Sequence, residues 1–114
     1  MALVKYSLAS QWYPAEPEKI DAALAEFAGK VRRPLKLKKP PVAGIVPHAG
    51  WSRSGPIAHE VWANLAERKP DLVVLFGGHV TPYQRSVIFA DEGFETPVGP
   101  VMTHMEMVEG LSGA

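Results

Sequence analysis

The sequence contains no cysteine, so neither a disulfide framework nor a thiolate ligand can be built from this chain alone. No apolar run approaches ~18 residues, which excludes a membrane-spanning helix. Residues 1–7 lack the basic segment and continuous apolar core of a secretory leader. Neither charge is in excess, since twelve Lys and Arg balance twelve Asp and Glu. That balance argues against nucleic acid or a membrane surface as a partner. Together these absences fit a cytoplasmic protein. No internal repeat or low-complexity segment is present. The 114 residues amount to one domain of modest size, enough to withdraw roughly two thirds of the unfolded surface from water.

Proline and glycine are plentiful, eleven and ten respectively, and they punctuate an alternation of helical and extended patterns. The first helix is predicted over 18–28, with Pro17 at its start and Gly29 as its C-terminal cap. Ile20, Leu24 and Phe27 form its apolar stripe. Before it, Trp12-Tyr13-Pro14 reads as extended or turn backbone whose aromatic pair anchors the N-terminus or lines a pocket rim. After it, the basic run 30–39, broken by Pro34, reads as a solvated linker.

Residues 42–46 are short and continuously apolar, the pattern of a strand covered on both faces. A second helix is predicted over 56–68, capped by Ser54 or Gly55, with Ile57, Val61 and Leu65 as its buried stripe. Residues 72–76 form the next strand. Strand, helix and strand over roughly 35 residues match a right-handed crossover joining parallel strands. The fold class is therefore α/β. Residues 85–90 are a further strand candidate, 91–93 a turn, 95–100 a loop stiffened by two prolines, and 103–111 the start of a third helix.

Two histidines stand at the ends of the two expected strands: His48 in Pro47-His48-Ala49-Gly50, and His79 after Gly77-Gly78. Parallel strands end on one rim of a sheet, where open α/β sheets bind ligands. Neighbouring strands lie ~5 Å apart, close enough for two imidazoles to share one metal ion. Isolated, hydrogen-bonded or capping histidines are the other reading of the same pattern. His59, off the apolar stripe of the second helix, reads as a surface residue, and His104 fits either a structural or a site role. Ser52 and Ser54 lie outside a nucleophile elbow and suit capping or a turn. Gly77-Gly78 is too short for a phosphate loop.

In order, Trp12-Tyr13-Pro14, Gly44-Ile45-Val46-Pro47-His48-Ala49-Gly50, Ser54-Gly55, Gly78-His79 and Glu95-Thr96-Pro97-Val98-Gly99 resemble the landmarks of the Memo-like proteins. That family is also called protein B of the AmmeMemoRadiSam system. The resemblance covers residues 8 to about 111. It implies an α/β, partial three-layer sheet with parallel strands and flanking helices, the N-terminal portion of a class III extradiol dioxygenase-like fold. The domain expected over 1–114 is then a truncated Memo-like domain. Carried over, His48 and His79 are the first two site residues, metal ligands and catalytic groups together. The third, usually a cysteine in the family, comes from beyond the stretch matched here.

The resemblance implies a non-haem metal ion (Fe(II), copper or zinc) and oxygenase-like chemistry, with metal or peptide binding without turnover, or an inactive fragment, as the alternatives. Glu95 is the in-chain carboxylate nominated to complete the ligand set. AMMECR-type and radical-SAM proteins are the partners the family association suggests, and an open strand edge suggests a homo-oligomer. Trp51 and Arg53 stand where the family usually has tyrosines, and Phe76-Gly77-Gly78-His79 replaces its Gly-Pro-Ser/Asn-His loop. Arg53 would repel a cation or attract an anionic substrate.

Overall fold

The structure, a computed structural model, describes residues 2–31, 35–79 and 81–113. The elements in chain order are α1 (Pro17–Lys30), α2 (Trp51–Ala66), β1 (Gly93–Phe94), β2 (Val101–Met102) and α3 (Met105–Ser112). The chain divides into two compact units, 7–71 and 1–6 with 72–114. No helix among the described residues is long and apolar enough to cross a membrane.

The 7–71 unit is a pair of packed helices. Helix α1 starts at Pro17, whose missing N–H costs nothing at a helix start. It runs past Gly29 to Lys30, whose ammonium pairs with Glu26 one turn back. Its stripe buries Ile20 and Phe27, while Leu24 stays 39% exposed. Helix α2 begins five residues earlier than its sequence suggests, at Trp51 with Gly50 as N-cap. Pro56 therefore lies inside the helix. It forfeits one backbone bond there, within two turns of the start.

The buried face of α2 also differs from the expected stripe. Ile57 is 61% exposed, whereas Ser54 and Gly55 are buried. A side chain on Gly55 would overlap the ring of Phe27, so α1 can approach only where α2 has no side chain. Gly44 makes a similar approach, since a Cβ there would collide with Val61 and touch Leu65. The described part of the basic linker is exposed but held at two points. The Leu35 N–H donates to Glu60 Oε1 at 2.6 Å, and Arg68 Nε donates to the Pro40 carbonyl at 2.9 Å. Arg32, Arg33 and Pro34 of that run lie outside the described residues.

The other unit is built on a hairpin. Strands β1 and β2 pair antiparallel, Gly93 with Met102 and Phe94 with Val101. Thr96 and Gly99 exchange backbone hydrogen bonds across the connecting loop, with Gly99 at φ +123°, a conformation that favours glycine. The N-terminal segment lies alongside. Val4 N–H donates to the Gly93 carbonyl at 2.9 Å and its carbonyl accepts from Glu95 N–H at 2.8 Å. Phe89 stacks on Phe94 at 4.1 Å between ring centres. The sequence-predicted turn at 91–93 is thus the entry to a strand, and 85–90 carries no strand.

The parallel, three-layer arrangement is not what the described residues form. Their one sheet is the antiparallel hairpin. Residues 42–46 and 72–76 belong to no strand. Ile45 is 94% and Phe76 95% exposed. The physical reason is local: an apolar strand meant for cover on both faces needs neighbours on each side, and these runs have few.

Two substitutions separate the observed packing from the stripe read in sequence. Phe27→Ala should lower the unfolding free energy by about 3 kcal/mol in denaturant titrations. Ile57→Ala should change it by less than about 0.5 kcal/mol, as expected of an exposed site. Equal losses would favour the sequence-derived stripe.

Candidate functional site

His48 stands in the turn that feeds α2. Residues 46–50 lead from the apolar run to the helix, and Gly50 is the N-cap. The turn is fixed from both sides. Ser54 reaches back from the first turn of α2, its Oγ lying 2.7 Å from the Ala49 carbonyl and 3.2 Å from the Gly50 carbonyl. This hydroxyl is buried, at 4% exposure for the residue, and it supplies a proton to backbone acceptors rather than a cap to N–H groups. From the other side, the Trp51 N–H donates to the Trp12 carbonyl at 2.8 Å. His48 itself is exposed.

The Trp12 carbonyl is presented by a tight turn. Ser10 N–H donates to the Tyr13 carbonyl, Trp12 N–H to that of Leu8, and Ser10 takes φ +69°. The turn brings Tyr13 within 6.0 Å of the Trp51 ring, and Phe27 meets the same indole edge-on at 5.8 Å. An open cleft of about 440 Å³ lies beside this cluster, bordered by Trp12, Tyr13, Trp51, Glu16 and Lys19. The aromatic pair 12–13 is therefore both anchor and rim. Trp51 is the residue that helical periodicity missed, because it precedes the predicted helix start.

Glu16, the N-cap of α1, forms an ion pair with Lys19 at 3.0 Å. The hydrogen bond from Lys19 holds the Glu16 carboxyl below its usual range, with the lysine's charge adding to the effect. A depressed carboxylate contributes stability above its ordinary titration range and loses it as pH falls through the lowered one. Both groups are exposed, so the contribution is small.

His79 belongs to the other unit and follows Gly77-Gly78. Gly78 has φ +109°, a turn that a side chain would strain. His79 is exposed. Glu95 borders a second open cleft, of about 310 Å³, with Leu3, Tyr6 and Thr96. Among the described residues, no three His, Asp or Glu side chains gather as metal ligands.

The remaining histidines differ from the sequence reading in one case. His104 is the N-cap of α3, its Nδ1 accepting from Met107 N–H at 3.2 Å. His59 is half-buried rather than a surface residue, and its buried Nδ1 has no hydrogen-bond partner among the described residues. It lies one helical turn beyond Gly55, on the side of α2 that meets Phe27 rather than the exposed side of Ile57.

Ser54→Ala should cost about 1 kcal/mol in thermal or chemical unfolding and shift the imidazole resonances of His48, whose turn it braces. A Lys19→Ala variant should return the Glu16 titration, followed by carboxyl NMR, toward the ordinary carboxylate range. An unmoved titration would contradict the ion pair.

The model of the family described as Memo-like protein matches residues 5–114. A MEMO1 family protein of Methanosarcina barkeri is 34% identical over 110 residues, covering 95% of this chain and 39% of the relative. One from Pyrobaculum arsenaticum is 34% identical over 116 residues, covering 96% and 41%. One from Aeropyrum pernix is 36% identical over 107 residues, covering 86% and 38%. No solved structure matches. The chain spans about two fifths of the length of these curated relatives. With the family model matched from residue 5 to residue 114, the chain belongs to the Memo-like family.

Proposed function

We propose that this chain supplies two histidine ligands, His48 and His79, to a metal centre of the class III extradiol dioxygenase type. The observation that carries the reading is the braced turn at 46–50, which holds His48 at the mouth of α2 through Ser54 and Trp12. A residue so positioned at a helix entrance, on a glycine-bounded turn, suits a ligand better than a packing role. His79 follows Gly78, whose φ of +109° favours glycine.

Neutral imidazoles are good nitrogen donors for iron, copper or zinc. The residues present do not fit a complete centre, since no three His, Asp or Glu side chains gather as ligands among the described residues, and Glu95 borders a cleft with Leu3, Tyr6 and Thr96. No reaction step is therefore assigned to a metal. What the chain contributes is two nitrogen donors, the aromatic wall of Trp12, Tyr13 and Trp51, and the cation Arg53 on the exposed side of α2. The aromatic wall suits an aromatic ligand and Arg53 an anionic one. Oxygenase-like activity is the catalytic form of this proposal. The second reading, metal or peptide binding without turnover, is favoured by the incomplete donor set. AMMECR-type and radical-SAM proteins, in the cytoplasm, are the partners proposed for it.

Metal analysis of purified protein after loading with Fe(II), Cu(II) or Zn(II) tests the proposal. His48→Ala and His79→Ala should each reduce bound metal at least about tenfold, no less than the loss of an outer-shell partner costs, while His104→Ala leaves it unchanged. Equal metal in all four proteins would end the shared-centre reading. Oxygen uptake with catechols then divides enzyme from binder, because a metal-loaded protein without uptake is a binder.

A further inference from the structure

His104 closes the start of α3 with an acceptor that can be protonated. Its Nδ1 accepts from the Met107 N–H at 3.2 Å, and the same N–H reaches the His104 carbonyl at 3.1 Å. Helices ordinarily cap with Ser, Thr, Asp or Asn, whose oxygens accept throughout the neutral range. An imidazole accepts only while one ring nitrogen keeps its lone pair. Helix α3 also depends on its ends. It is eight residues long and buries none of them, and helices this short are marginal by propensity alone. Its C-terminal end is closed by groups that do not titrate. The Gly113 N–H donates to the Glu109 and Leu111 carbonyls, and Ser112 Oγ lies 2.8 Å from the Val108 carbonyl. The titratable closure is the one at His104.

We propose that His104 is a proton-operated cap, holding the first turn of α3 closed when neutral and releasing it when protonated. Protonation turns Nδ1 from acceptor to donor, so the ring meets the Met107 N–H with a second N–H. It also sets a positive charge at the positive end of the helix dipole. Both effects act in the same direction, and an imidazole changes charge between about pH 5 and pH 8. His104 is exposed, so the proton comes directly from water. The charged groups around it are Glu106 and Glu109 on α3 and Glu92, whose carbonyl accepts from the Thr103 N–H at 3.0 Å. None of them takes the place of Nδ1 as acceptor for Met107. Among the described residues no other helix or strand packs against α3, so none brings a further charge to the ring. The device is separate from the proposed metal centre, in which His104 has no part.

Solution NMR of the 114-residue chain tests the proposal. The Cα secondary shifts of residues 105–108 report the first turn, and the His104 ring protons report its titration. From about pH 8 to about pH 5 the ratio of helix to coil at 105–108 should fall about fivefold, the worth of a typical N-cap, along the ring's own titration curve. His104→Asn caps without titrating, so its first turn should stay helical across the range. His104→Ala should match the acid form of the wild type at every pH. Strands β1 and β2 should keep their shifts throughout, since backbone groups alone pair them. A flat wild-type profile, or a His104→Ala turn as helical as the wild type at high pH, would overturn the proposal. So would an equal pH response in His104→Asn, which would assign the effect to Glu92, Glu106 or Glu109, or loss of the hairpin together with the turn.

Discussion

The close approach of α1 to α2 is the constraint on which the 7–71 unit depends, and it is made by an absent side chain. Phe27 packs where Gly55 leaves room. Because Gly55 lies within the first turns of α2, this contact fixes the rotation of that helix. Ser54, next to it, then faces inward, and its hydroxyl closes on the Ala49 and Gly50 carbonyls. The turn carrying His48 is thus set by helix packing at Gly55, further along the chain. Trp51, pinned between Tyr13 and Phe27, ties the N-terminal turn to the same seam.

Much of the helical structure was legible in the sequence, and the reasons for the misses are physical. The first helix was readable from Pro17 and the Ile20–Phe27 spacing, and the third from Met105 and Val108. The second helix was misplaced at its start because Pro56 resembles a first-turn proline. The actual start depends on Gly50 and on a serine hydroxyl bonding backward, neither of which leaves a periodic signal. The stripe failed at Ile57 for a related reason. Periodicity finds apolar residues, whereas the contact here selects a residue with no side chain at all.

The strands were misread differently. Runs 42–46 and 72–76 have the composition of enclosed strands, but composition reports the environment a segment is suited to, and pairing requires neighbours. The hairpin was hidden for the opposite reason: Gly93–Phe94 and Val101–Met102 are two residues each, too short for alternation to register. Both histidines and the glycines beside them were visible in sequence as candidates, and so was the family. The bracing of His48 by Ser54 and the Trp12 carbonyl was not, since it links segments almost forty residues apart through a backbone atom.

The proposal at the centre of this account is that His48 and His79 serve a common metal. The most direct measurement is pulsed electron paramagnetic resonance on the protein loaded with one equivalent of Cu(II), which counts coordinated imidazoles by their remote nitrogens. The account predicts two imidazoles per copper in the wild-type chain and one in each single histidine variant. A count of one in the wild type, or a count of two that survives His79→Ala, would contradict it.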